Sequence, residues 1–300
     1  DSCTVITPPP TSEGYIMPVA FDELYFEDFQ DQRGTTFDNN NITANGVYLH
    51  HEHYREADVI TEEDDAEVTG SLNGFVSRQI IRQYRDGSGN LLACGTRNSN
   101  TQDHSRSELF FQIPKTTPNW ETLYGRDSGK FAANHVKHAR MDVEYVYQWS
   151  MKFTRRSEKG FQRFCSGSSI DPNTPEDYDM SIIDLKQDGG TPNRSRDATY
   201  RMRVLGDYIS FIQNVHADYG MDYGVDGNRH TRKQAKIYYP ELWTSDMLTF
   251  TLSVKWGNDS SCYLNQYIQG ELVYSDTGLN VFHDAQDFAP YWKLGPYSAA

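Results

Sequence analysis

The 300 residues carry 28 Lys and Arg against 42 Asp and Glu, a formal net charge of −14, which excludes a nucleic-acid binder that relies on a basic face to displace counterions. Hydrophobic residues make up 37% and aromatics 13%, with 20 Tyr, 15 Phe and 5 Trp; that ring area can fill a core and can also stack on apolar C–H faces. No apolar run reaches the roughly 18–20 residues that a bilayer-spanning helix needs.

The chain opens Asp1-Ser2-Cys3 and runs into Thr7-Pro8-Pro9-Pro10-Thr11-Ser12. This reads as a processed N-terminus with a Pro/Thr/Ser spacer over residues 1–15, followed by one domain over 16–300, and it predicts a secreted or periplasmic monomer. The four cysteines (Cys3, Cys94, Cys165, Cys262) are widely spaced without a CxxC pair, which points to disulfides rather than a metal centre. All three full pairings stay open, with Cys3–Cys94 and Cys165–Cys262 preferred.

Beyond the spacer the texture is period-two alternation broken by Gly, Asn and Asp turns, the pattern of antiparallel strands. Strands are predicted over 74–84, 106–113, 141–153, 180–187, 200–204, 208–213, 248–255, 263–268 and 291–297. Asp86-Gly87-Ser88-Gly89-Asn90 and Gln269-Gly270-Glu271 read as hairpin turns. Only 57–67 and 121–137 offer room for short helices. With no internal repeat and no interior linker, the expected fold is all-β, a two-sheet antiparallel jelly roll in a single domain.

Three strands carry unusual polar faces. Alternation puts His104, Arg106, Glu108, Phe110 and Gln112 on one face of the second predicted strand. It puts Asp184 and Lys186 opposite the apolar pair Ile183 and Leu185. In the last strand it groups Tyr291, Lys293 and Tyr297. A polar strand face is ordinarily a solvated one; three that concentrate Arg, Lys and Tyr in an acidic chain predict a locally basic, tyrosine-lined surface. Such a surface suits β-elimination on a uronate. A cation beside the carboxylate stabilises charge that develops when the C5 proton leaves, and a tyrosine can act as acid or, with its pKa lowered by nearby cations, as base.

Arg106-Ser107-Glu108-Leu109, the central polar strand and Tyr291-x-Lys293-x-Gly295-x-Tyr297 resemble, in that order, the jelly-roll polysaccharide lyases: the alginate lyases and, more distantly, the glucuronan and ulvan lyases. The resemblance spans about 74–297, and the stretch 265–273 is similar to the penultimate hairpin of that fold. It implies a concanavalin-like sandwich with a concave substrate groove. It implies Arg106 near the substrate carboxylate, Glu108 orienting it, Tyr297 as the catalytic tyrosine and Lys293 beside it. The remaining candidates are Lys186 and His104 in catalysis, and Gln112, Asp184, Tyr291, Asn265 and Tyr267 in substrate binding. Alginate lyases carry Gln-Ile-His on the central strand, where this chain has Asp184-Leu185-Lys186. Phe110 replaces a second arginine, and Pro296 a small aliphatic residue. These departures favour a glucuronate-containing polymer, ulvan or glucuronan, over alginate.

Two other classes compete. A retaining glycoside hydrolase needs two close carboxylates, and Glu63, Asp65 and Glu67 alternate suitably but sit in an acidic run that reads as a solvated loop. A non-catalytic carbohydrate-binding module would use the aromatic face without Tyr297. No cofactor is required by an elimination. Asp218, Asp222 and Asp226 offer carboxylates for a structural calcium ion, although turn chemistry explains them equally. His135 and His138 are surface or cleft-edge candidates. Asn41, Asn193 and Asn258 begin formal glycosylation sequons.

Overall fold

A computed structural model describes residues 4–5, 47–51, 56–61, 75–80, 107–111, 113–114, 121, 135–136, 138–153, 179–187, 198–205, 207–215, 231–243, 247–281 and 288–297. In chain order the strands are β1 (Thr4–Val5), β2 (Val47–His51), β3 (Glu56–Thr61), β4 (Phe75–Ile80), β5 (Ser107–Phe111), β6 (Ile113–Pro114), β7 (His135–Val136), β8 (His138–Arg140) and β9 (Glu144–Met151). They continue as β10 (Asp179–Lys186), β11 (Tyr200–Leu205), β12 (Tyr208–Val215), β13 (Thr231–Tyr238), β14 (Leu248–Lys255), β15 (Tyr263–Ile268), β16 (Glu271–Thr277) and β17 (Phe288–Tyr297). Nine of them form one sheet in the order β1-β13-β12-β11-β10-β17-β5-β2, with β8 also paired to β17. A second sheet runs β16-β15-β14-β9, and β3–β4 and β6–β7 form two short ribbons. Pairing is antiparallel except at β1–β13. This is the two-sheet β-sandwich that the alternation predicts. Among the described residues no helix is long and apolar enough to cross a membrane.

The alternation sorts the side chains. Ile183, Leu185, Tyr200, Met202, Val204, Ile209, Phe211 and Ile237 line the inner face of the large sheet, against Phe250, Leu252, Val254, Leu264 and Ile268 from the small one. Trp292 of β17 carries the contact across, stacked on Tyr147 at 5.1 Å and edge-on to Trp149 at 4.8 Å. Both partners belong to β9, so the aromatic cluster fixes where β17 lies. Polar groups on the inner faces find each other: Tyr200 Oη donates to Gln266 Oε1 at 2.6 Å, and Tyr274 Oη to Gln213 Oε1 at 3.2 Å. These bonds satisfy groups that burial would otherwise penalise.

One local feature shapes the site, and another closes a hairpin of the small sheet. At Ser181–Ile183 the register of β10 shifts against both β11 and β17, and this bulge turns both Ile182 and Ile183 into the core. Gly295 faces the bulge with φ of 147°, a backbone conformation that glycine adopts without a Cβ penalty. In the small sheet Gln269 (φ 50°) and Gly270 (φ 82°) close β15–β16 with two positive-φ residues, as two-residue hairpins require.

Several expectations need correction. The window 57–67, which offered room for a short helix, opens within strand β3, whose Val59 and Ile60 pair with Ser77 and Val76 of β4; β-branched residues with a ladder partner prefer the sheet. In the window 121–137 Glu121 is helical, as expected, whereas His135–Val136 is strand β7. Strand β13 escaped prediction because its inner face carries Lys233 and Ala235 beside Ile237, so the period of two lacks apolar contrast. Lys233 occupies that face by reaching across the sandwich edge to Asp276, at 2.5 Å. Cys262 is a buried free thiol, contrary to the preferred Cys165–Cys262 pairing: its Sγ packs against Gly257 and donates to Asp259 Oδ1 at 3.5 Å. Cys3, Cys94 and Cys165, the turn 86–90, the acidic run 62–67 and Asp218, Asp222 and Asp226 lie outside the described residues.

Candidate active site on the outer face of the large sheet

Inner-face residues of β10, β11 and β17 are apolar, so their alternate neighbours face outward together. The register aligns them in rows across the sheet. Lys186 stands opposite Tyr291, Asp184 opposite Lys293, and Ser181 opposite Tyr297. On the other side of β10, Asp184 faces Arg201 and Ser181 faces Arg203. Beyond β17, Lys293 is in register with Phe110 of β5, and Tyr291 with His138 of β8. Glu108 sits two residues from Phe110 along β5, opposite His50 of β2.

Electrostatics within this face are organised around Asp184. Its two oxygens accept from Arg201 Nε at 2.7 Å and Nη2 at 3.2 Å, the bidentate fork that makes Arg–carboxylate pairs directional. Asp184 is 4% exposed and Lys293 3%, and a charge so far from water needs a partner. Arg201 supplies one for Asp184. Lys293 Nζ lies 6.0 Å from the Tyr291 ring centroid, within cation–π range. Asp184, expected among the substrate-binding residues, therefore acts chemically as the group that orients Arg201. Lys186 is half-buried at the end of the same face.

Asn265 and Tyr267, also expected in substrate binding, are not brought to this face. They lie on β15, whose alternate residues Leu264, Gln266 and Ile268 are buried inward, so both point to the outer surface of the small sheet. There Asn265 Oδ1 accepts from Ser275 Oγ at 2.7 Å. The core separates them from Lys186 and Lys293. The stretch 265–273 is a hairpin, as expected, but alternation alone does not say which of two sheets a strand joins. His104, Arg106 and Gln112 lie outside the described residues.

Sequence reasoning passed over Arg201, Arg203 and Lys236. The signal was present in Tyr200-Arg201-Met202-Arg203-Val204, where two arginines alternate with residues buried in the core. Among the described residues, Asp142, Asp259 and Cys262 bring three metal-capable donor atoms within 4.8 Å of one another. Asp259 Oδ1 already accepts from Ser261 N (2.7 Å), Ser261 Oγ (2.6 Å) and Cys262 Sγ, and the Ser261 bonds hold its carboxyl below the usual range. That arrangement is a side-chain-closed turn and lies away from the basic face.

The fold and the face together define the class: an antiparallel β-sandwich with a cationic, tyrosine-bearing outer sheet. No family model matches the sequence, and no curated protein matches it. Among solved structures, an endo-β-1,4-glucuronan lyase from the fungus Trichoderma reesei is similar at 11% identity, covering 89% of this chain and 84% of that one, with a TM-score of 0.49. An alginate lyase of polysaccharide lyase family 7 overlaps at 11% identity, 75% and 76% coverage, and a TM-score of 0.32. The binding domain of botulinum neurotoxin serotype G overlaps at 10% identity and a TM-score of 0.33, with 85% of this chain matched to 43% of that one. These likenesses assign no residue and no activity to the chain.

Proposed function

We propose that the protein is a secreted polysaccharide lyase that cleaves a uronate-containing acidic polymer by β-elimination on the outer face of the large sheet. The observation that carries this reading is the register of β10 with its two neighbours. It groups Lys186, Lys293, Arg201, Arg203 and Tyr291 on one face, with Tyr297 at the position opposite Ser181, in a chain whose net charge is −14. Local cations in an acidic protein suit an anionic ligand.

In the reaction the C5–H bond breaks and its electron pair forms the C4–C5 double bond. The C4–O4 bond breaks in turn, and the departing oxygen takes a proton. Charge builds on the C5 carboxylate as the proton leaves, and preorganised cations lower that barrier. Lys186 and, by the resemblance of its motif, Arg106 hold the carboxylate. Tyr297 serves as acid, as base or as both, with His104 as the alternative base. Glucuronate polymers, ulvan or glucuronan, are the first candidates because Lys186 stands where alginate lyases carry histidine.

The test incubates the protein separately with ulvan, glucuronan, alginate and heparin while following ultraviolet absorbance of the conjugated double bond. A rise with one polymer is expected. New reducing ends without absorbance would replace elimination by hydrolysis, and neither signal with any polymer would overturn the catalytic reading.

A further inference from the structure

We infer that this face reads acidic groups at every second sugar of the polymer, through cations placed two strands apart: Arg203 on β11 and Lys236 on β13, in line with Tyr297 on β17. The inference rests on the lyase reading and specifies the polymer that the same face accepts.

One row crosses five strands. Tyr297 is in register with Ser181, Ser181 with Arg203, Arg203 with Ser210, and Ser210 with Lys236. Long polar residues on β17, β11 and β13 thus alternate with serines on β10 and β12. Ser181 and Ser210 are buried at the floor of the face, while Arg203 and Lys236 are half-buried above them. The irregularity at Ser181–Ile183 produces this alignment: against β11 it passes over Ile182, and against β17 it is matched by Gly295 and Pro296, so Ser181 comes level with both Arg203 and Tyr297. The row nearest to it is different: Lys293, Asp184, Arg201, Ile212 and Gln234 place a carboxylate between two cations and then an apolar residue. Gln234 Nε2 donates to Ser210 Oγ at 2.9 Å, and Lys236 Nζ lies 5.6 Å from the Tyr208 ring centroid. Both interactions hold the far end of the row in shape.

Neighbouring strands lie about 4.8 Å apart, so Arg203 and Lys236 repeat at about 9.6 Å. The strand step is comparable with the advance of one ring along a 1→4-linked pyranose chain. A chain crossing the strands sets one ring over each strand. In an extended 1→4 chain successive rings are turned over, so substituents on one side recur at every second ring. Cations on alternate strands meet those substituents, and the intervening strands present only short, buried serines in this row. The ligand class is therefore a 1→4-linked chain with a carboxylate or sulfate on one side at disaccharide intervals. Tyr297 at one end of the row sets the scissile bond near β17 and β10. Rings over β11 to β13 lie on one side of that bond.

The experiment measures elimination kinetics of wild type, Arg203→Gln, Lys236→Gln and Lys236→Arg on the polymer that the panel identifies and on its size-fractionated oligosaccharides. Lys255→Gln, on the outer face of the small sheet, is the control. Removing one charge-assisted hydrogen bond from a subsite raises KM about tenfold, and the expected result is that rise for both Gln variants on polymer, with kcat falling far less. Lys236→Arg recovers most of the affinity. The Lys236→Gln penalty shrinks on oligosaccharides too short to reach β13. An unchanged polymer KM in both Gln variants, with thermal unfolding like that of wild type, would overturn the inference and leave the lyase reading intact. If wild type eliminates nothing, the lyase reading fails by itself. Affinity electrophoresis in gels containing each polymer then decides the row: retardation weakened in both Gln variants supports it, and equal retardation overturns it.

Discussion

Tyr145 illustrates how a single buried phenol couples this fold to pH. Its Oη accepts from the Arg140 backbone N–H at 2.9 Å, yet burial outweighs that bond and pushes its pKa up to about 12. The folded state therefore keeps the proton over a range in which the unfolded chain, titrating near 10, releases it. The stabilisation is complete below pH 10 and is lost as pH climbs towards 12, on the order of 2–3 kcal/mol from this group. Tyr200 and Tyr274 are raised for the same reason and add to the slope. Denaturant midpoints measured from pH 9 to 12 are expected to fall steeply, and less steeply in Tyr145→Phe; parallel slopes would contradict the assignment. At this scale much of the site was legible. The face that carries Lys186, Lys293 and Tyr291 follows from alternation alone, because their strands have apolar inner faces. For Asp184 the alternation gives the face but not the partner, since Arg201 on the next strand is invisible until the pairing is known. Asn265 and Tyr267 alternate just as well, but on a strand of the other sheet.

Among the elements, β17 links core and site. Trp292 and Leu294 face inward, while Tyr291 and Lys293 face the cluster on β10 and β11. The indole of Trp292 packs between Tyr147 and Trp149 of β9, so the strand that carries Lys293 is set by aromatic packing on its reverse side. Trp292→Ala removes that packing and is expected to cost about 3 kcal/mol, near the lower end for large-to-small aromatic changes. The loss should appear in a denaturant midpoint, and turnover should fall more than stability because β17 loses its lateral position. A Trp292→Ala protein as active and as stable as wild type would detach the aromatic cluster from the site. The elements most readable in the sequence were those whose inner face is strongly apolar, β10, β12, β14 and β15. Strand β13 was not, because an ion pair to Asp276 lets a lysine occupy an inward position, and ion pairing across a sandwich edge leaves no period in the sequence.

For the whole molecule, the chain is acidic, and among the described residues one outer face of the sandwich carries Lys186, Lys293, Arg201, Arg203 and Lys236, while the opposite one carries mainly uncharged polar side chains beside Glu144 and Lys255. Net charge far from zero opposes self-association, while local cations set what the protein meets. The bulge in β10 and the glycine of β17 bring the backbone positions of Ser181, Arg203 and Tyr297 level. Folding physics accounts for the inner faces. On the outer face folding physics also accounts for Arg201, which pairs the buried Asp184, and for the buried ring of Tyr291; Lys186 and Arg203 are the half-buried cations beside them. The decisive measurement compares turnover and affinity of Tyr297→Phe with wild type on the same uronate polymer. Formation of the conjugated product is expected to fall by at least about a hundredfold, the scale of a lost acid or base, while polymer affinity stays within about twofold. Turnover retained by Tyr297→Phe would contradict the catalytic role of Tyr297.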